Sequence, residues 1–189
     1  MTLLKRQQID PKKEWEEHLS MKQHAYNLRI DWTGNDGDGT TTYKSYRRDH
    51  TIQSGDKPQI AASSDPSFRG DASRYNPEEL LVAALSSCHM LSYLHLCAVN
   101  GINVVEYSDT ATGIMRQNDD GSGEFVSVTL HPIVKIVAGD RENALGLHHK
   151  AHELCFIARS VNFPVDARAE VSHSVTGSHL PKSHLARDR

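Results

Sequence analysis

The residues best equipped for chemistry are three cysteines, Cys88, Cys97 and Cys155, in a chain that also carries twelve histidines. A thiol attacks an electrophile as thiolate, so a working cysteine needs a nearby cation or hydrogen-bond donor to bring its pKa below about 8.5. Cys88 sits in Ala84-Leu85-Ser86-Ser87-Cys88-His89-Met90, where small residues let another helix approach closely, and Cys155 sits in Ala151-His152-Glu153-Leu154-Cys155-Phe156-Ile157. An odd number of cysteines with no export signal argues against a structural disulfide framework and leaves catalytic, redox or inert buried roles. Cys97 is nine residues beyond Cys88 and points to the opposite side of the same helix; only packing between helices can bring Cys155 to either thiol, with Cα atoms within about 7 Å.

Two other chemistries compete for these residues. His148, His152 and Cys155 fall on one helical stripe at spacings of four and three and would offer three ligands to zinc, though no fourth has suitable local spacing. A metal there would occupy the Cys155 thiol. A cysteine hydrolase would use Cys88 with a histidine base. His89 projects about 100° away from Cys88 and serves it poorly, reading instead as a core histidine or a supporting donor, and a hydrolase has no use for Cys155. A non-catalytic binding or stress protein is the third class.

The elements that must position these residues are legible in outline. Asn76-Pro77-Glu78-Glu79 opens the strongest helix with a cap, a first-turn proline and two acids at the positive end of the dipole; it runs to about Asn100, where Gly101 ends it. A second helix is expected over 139–160. Strand-like runs at 104–115 and 127–137 form a hairpin about the 118–123 turn, and a closing strand is expected over 162–172 around Pro164. A hairpin or meander is expected from 24–32 through the glycine- and aspartate-rich 34–39 turn to 40–48, followed by a long loop over 54–75. A short polar helix is expected over 12–18, and a flexible tail over 173–189. The chain thus divides into an N-terminal extension (1–23), a single domain (24–172) and the tail.

Composition narrows the field. With 38% hydrophobic and 24% charged residues the chain suits one water-soluble domain. A net charge of −3 without a basic stripe gives nucleic acid no foothold. The most apolar run, 80–99, is interrupted by Ser86, Ser87, His89, Ser92 and His95 and reads as a buried helix, not a membrane span. With no signal peptide in the first residues, a cytoplasmic location is expected.

Taken together, Asn76-Pro77-Glu78-Glu79-Leu80-Leu81, Ala83-Ala84-Leu85-Ser86-Ser87-Cys88, His152-Glu153-Leu154-Cys155-Phe156-Ile157-Ala158 and Tyr46-Arg47-Arg48-Asp49-His50 resemble the OsmC/Ohr peroxidases, from about 24 to 171. The resemblance implies an α+β fold, with antiparallel sheets from two intertwined chains around two long central helices. It implies a homodimer with active sites at the interface, an organic hydroperoxide substrate, a thiol reductant, and no cofactor or metal. Cys88 would be oxidised to a sulfenic acid and Cys155 would close a disulfide with it. An arginine would lower the thiolate pKa and orient the peroxide, and a glutamate would hold the arginine. Glu78 matches the glutamate. It precedes Cys88 by ten residues, about 15 Å along one helix, so it would serve the partner's site. Arg47 and Arg48 would face opposite sides of a strand; Arg48 occupies the family-like position, leaving Arg47 outside. A mostly apolar pocket, lined by Phe68, Met90 and Phe156, would favour organic peroxides over hydrogen peroxide.

Overall fold

A computed structural model describes residues 23–174, so the helix expected over 12–18 and nearly all of the expected tail lie outside the described residues. The helix expected after Asn76 is α1, Pro77–Val99. Its start is a complete capping box: the Asn76 side chain accepts from the Glu79 amide at 2.7 Å, and the Glu79 carboxylate accepts from the Asn76 amide at 3.1 Å. Glu79 is therefore a cap as well as a dipole charge. Gly101, at φ 70°, turns the chain out of the helix in a conformation few other residues tolerate.

β1 (Arg29–Trp32), β2 (His50–Gln53) and β3 (Ile60–Ala62) form a small antiparallel sheet in that order. Two expectations change here. The run over 40–48 forms turns in place of a strand, because the Thr41, Thr42 and Ser45 side chains hydrogen-bond among themselves and to nearby backbone. The long loop over 54–75 contains β3 and a short 3₁₀ turn, Pro66–Phe68, capped by Asp65.

β4 (Asn103–Asp109), β5 (Thr112–Gln117), β6 (Gly123–Leu130) and β7 (Pro132–Ala138) realise the expected hairpin, but each long strand breaks once. At the break the His131 amide donates to Asp109 Oδ1 at 2.7 Å, and the ladder divides into a β4–β7 pair and a β5–β6 pair. The expected closing strand divides likewise: β8 (Val165–Ala167) joins β6 and β9 (Glu170–His173) joins β7, both in parallel. Between β7 and β8 in sequence lies α2, Arg141–Leu154, capped by Asp140, whose side chain accepts from the Asn143 amide at 2.7 Å.

α1 spans both of these sheets. Its C-terminal half buries Tyr93 and Cys97 with Ile102, Val134, Ile136, Val171 and the α2 residues Ala144 and Ala151. Its N-terminal half buries Leu85 against Val128, Leu130 and Val165. The arrangement is the expected α+β class. By length and composition α1 matches a membrane span. Here one face is packed on sheet and α2, while the other presents Leu91 and Val99 to the outside.

Candidate active site

α2 was expected to reach 160 but stops at Leu154, and Cys155 caps its end with a non-helical ψ of 108°. The turn-out lets Ile157 and Ala158 pack on the Leu85–Val128 cluster, a tertiary gain that helix propensity does not signal. It also places the Cys155 thiol against α1 beside Cys88, close enough for each thiol to feel the other's charge. The Ala158 amide donates to Cys155 Sγ at 3.4 Å. Cys155 is 1% exposed, and burial, reinforced by the neighbouring Cys88, pushes its pKa up to about 11. Cys88 is half-buried, and all three cysteines are free thiols. Cys97 lies in the core on the far side of α1, as its spacing required.

Cys88 opens into a groove of about 900 Å³ lined chiefly by apolar groups, among them Tyr26, Leu91, Leu154, Phe156 and Ile157. Of the three expected lining residues only Phe156 is here. Met90 lines a separate cavity on another face of α1, and Phe68 lines neither.

That second cavity, of about 760 Å³, contains Glu78, whose Oε2 is buried without a hydrogen-bond partner among the described residues. Glu78 does not line the Cys88 groove of its own chain, in keeping with their separation along α1. Arg48 also stands apart from Cys88. Its guanidinium donates to the carbonyls of Tyr46 (2.6 Å) and Tyr43 (2.9 Å) and lies over both rings, 4.1 and 4.3 Å from their centroids. Because 40–48 is not a strand, the two-face argument separating the arginines fails. Arg47 binds Asp36 on the surface and also the buried Asp49, which accepts from Ser63 Oγ as well.

Sequence reasoning missed a polar seam beneath α1. Ser86 Oγ donates to Asp109 Oδ2 at 2.5 Å. One residue past Cys88, His89 Nε2 meets His148 Nδ1 of α2 at 3.0 Å, and both rings are buried. Leu85, His89, Tyr93 and Cys97 share the buried face at a spacing of four, the one signal that placed a histidine inside. The bond to His89 and the departure of Cys155 from the helix break up the His148–His152–Cys155 stripe. Among the described residues no three His, Cys, Asp or Glu side chains are grouped to hold a metal.

Comparison with known proteins agrees with this architecture. The family model described as OsmC-like protein matches residues 70–170, just over half of the chain. The structure of an OsmC-like protein of unknown function from Vibrio cholerae is 32% identical with a TM-score of 0.71, covering 78% of this chain and 100% of that one. The organic hydroperoxide resistance protein OhrB of Bacillus subtilis is 29% identical over 96 residues, 51% of this chain and 68% of OhrB. An organic hydroperoxide resistance protein OsmC from Legionella pneumophila, 19% identical over 80% of this chain and 98% of its own, shares the fold with a TM-score of 0.58. With the paired sheets, the long α1 and the matched region spanning both Cys88 and Cys155, the chain belongs to the OsmC-like protein family.

Proposed function

We propose that the protein is a two-cysteine, thiol-dependent peroxidase that reduces organic hydroperoxides to alcohols. The observation that carries this reading is the buried Cys155 thiol lying beside Cys88, which itself opens into an apolar groove. Cys88, as thiolate, attacks the distal oxygen of the hydroperoxide. The O–O bond breaks, the alkoxide leaves and takes a proton to become the alcohol, and Cys88 is left as a sulfenic acid. The Cys155 sulfur then attacks the Cys88 sulfur, its proton leaves with the hydroxyl as water, and a disulfide forms. Two equivalents of an external thiol restore the dithiol. A resolving thiol held protonated, as its raised pKa requires, does not compete with Cys88 for the peroxide.

The groove selects alkyl and aryl hydroperoxides because their carbon skeletons gain by leaving water, whereas hydrogen peroxide has none to bury. The exposed apolar face of α1 and the partnerless Glu78 oxygen support a homodimer in which Arg48 and Glu78 of one copy complete the site of the other. Free thiols fit the reducing cytoplasm, where we place the protein.

The test is consumption of cumene hydroperoxide against hydrogen peroxide by the reduced protein under a dithiol. The organic peroxide is expected to be the faster substrate. Cys88→Ser abolishes turnover, and Cys155→Ser stalls it at a sulfenic acid that dimedone traps. Undiminished turnover in Cys155→Ser would refute the two-cysteine cycle, and no consumption by the wild type would refute the activity.

A further inference from the structure

Cys88 and its neighbour His89 each touch a different part of α2. Cys88 meets Cys155 just beyond the helix end, and His89 meets His148 two turns, about 10 Å, earlier. α2 is thus held to α1 at two separated points, one in the core and one at the groove. Around the core point the contacts are undirected: Ala144 and Ala151 are small and apolar and permit sliding. Among the described residues the His89–His148 hydrogen bond is the one directional side-chain link between the two helices apart from the thiols. It is also rigidly built. The two imidazoles lie parallel within 8°, and His148 stacks on Tyr93 with centroids 3.8 Å apart. His89 is 1% exposed and His148 4%. Parting the rings would strand two nitrogens where water cannot reach them, so the pair resists sliding far more than an apolar contact would.

We propose that the His89–His148 pair is a positioning device for the disulfide-forming step, fixing α2 on α1 so that the Cys155 sulfur stands within bonding reach of Cys88. This rests on the reading of Cys88 and Cys155 as the reacting pair. The first step, attack of Cys88 on peroxide, needs only Cys88 and the groove and does not draw on α2 register. The second step, in which Cys88–SOH and Cys155–SH give the disulfide and water, requires a narrow Cβ–Cβ separation and S–S torsion. Slippage of α2 by a fraction of a turn would remove that alignment. The pair stays neutral while the thiols react, because burial holds both imidazoles below their usual range, and the charge of Asp109 near His89 offsets this only in part.

The experiment uses His148→Phe, which keeps the ring stacking and loses the hydrogen bond, and the double variant His89→Phe/His148→Phe, which leaves no ring nitrogen unpartnered. Rapid mixing with cumene hydroperoxide follows Cys88 oxidation by dimedone trapping and closure by loss of free thiol. Oxidation of Cys88 is expected within twofold of wild type and closure at least fivefold slower, with sulfenic acid accumulating. Closure slowed less than fivefold, or both steps slowed alike, overturns the proposal. Should His148→Phe fail to fold, the double variant carries the same test.

A peroxide-free arm separates this inference from the peroxidase reading. Equilibration with oxidised and reduced dithiothreitol exchanges two thiols for one disulfide and measures how readily Cys88 and Cys155 pair. The variants are expected to shift that equilibrium at least fivefold toward dithiol, and an unchanged constant overturns the positioning role. Failure of the wild type to consume hydroperoxide would refute the activity while leaving this measurement intact.

Discussion

The two thiols differ in what surrounds them. Cys88 opens to the groove, while Cys155 is buried, accepts the Ala158 amide and is pushed up to about 11. At pH 8 the fraction of Cys155 present as thiolate is then on the order of a thousandth, and only the thiolate alkylates. Iodoacetamide at pH 8 is therefore expected to label Cys88 at least tenfold faster than Cys155, read by peptide mass spectrometry; equal rates would contradict the buried, protonated assignment. At this scale the sequence was informative where chemistry follows from type and spacing. The motifs about Cys88 and Cys155 singled out two thiols that the fold brings side by side, and helical spacing set Cys97 on the other side of the helix, where it lies in the core. The sequence allowed His89 as a core histidine, as found, but put His148 in a zinc stripe and did not pair the two, because a partner 59 residues away leaves no local mark. It misjudged the setting of Arg48, whose guanidinium follows from a turn cross-braced by threonine and serine hydroxyls in place of the expected strand.

At the scale of elements, caps and glycines gave reliable boundaries where they act locally. The capping box at Asn76 and Gly101 bracket α1 where the sequence put them. The C-terminus of α2 carries no such signal and ends early because Ile157 and Ala158 gain more by packing on the lower core than by extending the helix. The strands divide at Asp109 and His131 for a similar reason, since a side-chain acceptor there substitutes for a ladder bond. The link between α1 and α2 also makes a pH prediction. An unfolded histidine titrates near 6.5. In the folded protein desolvation holds His148 at about 3 and lowers His89, with Asp109 opposing and His152 reinforcing the shift on His89. Below pH 6.5 the unfolded chain therefore takes up protons that the folded pair does not. Stability is full above about 6.5 and declines as pH falls toward 3. Urea denaturation at pH 7.5 and 4.5 is expected to show this loss in the wild type and a smaller one in His89→Phe/His148→Phe; identical losses would mean the pair is not the acid-sensitive element.

At the scale of the molecule, the unoccupied face matters most. Leu91 is 64% exposed, Phe156 76% and Tyr26 83%, and all three border the Cys88 groove. An apolar surface of this kind beside a reactive group is costly in water and marks a contact. The proposed homodimer is expected to sediment as a dimer at micromolar concentration, and Leu91→Arg to shift it to monomer with loss of peroxidase activity. A wild type that sediments as a monomer while retaining full activity would remove the second copy from the mechanism. The α+β class was legible through the family resemblance that the cysteine and cap motifs carry, while local patterns marked the separate elements. The division into separate sheets was not, because it depends on which strands meet in space.

The Ala158 amide, whose hydrogen is directed at the Cys155 sulfur, lies in a turn outside both helices. If Cys155 closes the proposed disulfide with Cys88, its sulfur is expected to turn away from this amide and to become a poorer acceptor. On the proposed cycle the Ala158 amide would then report oxidation: its backbone resonance is expected to move, and its hydrogen to exchange with solvent faster, in the oxidised form. Nitrogen-15 spectra of the two redox states would show it against a largely unchanged background of helix signals, making the working state of the thiols readable without a chemical label.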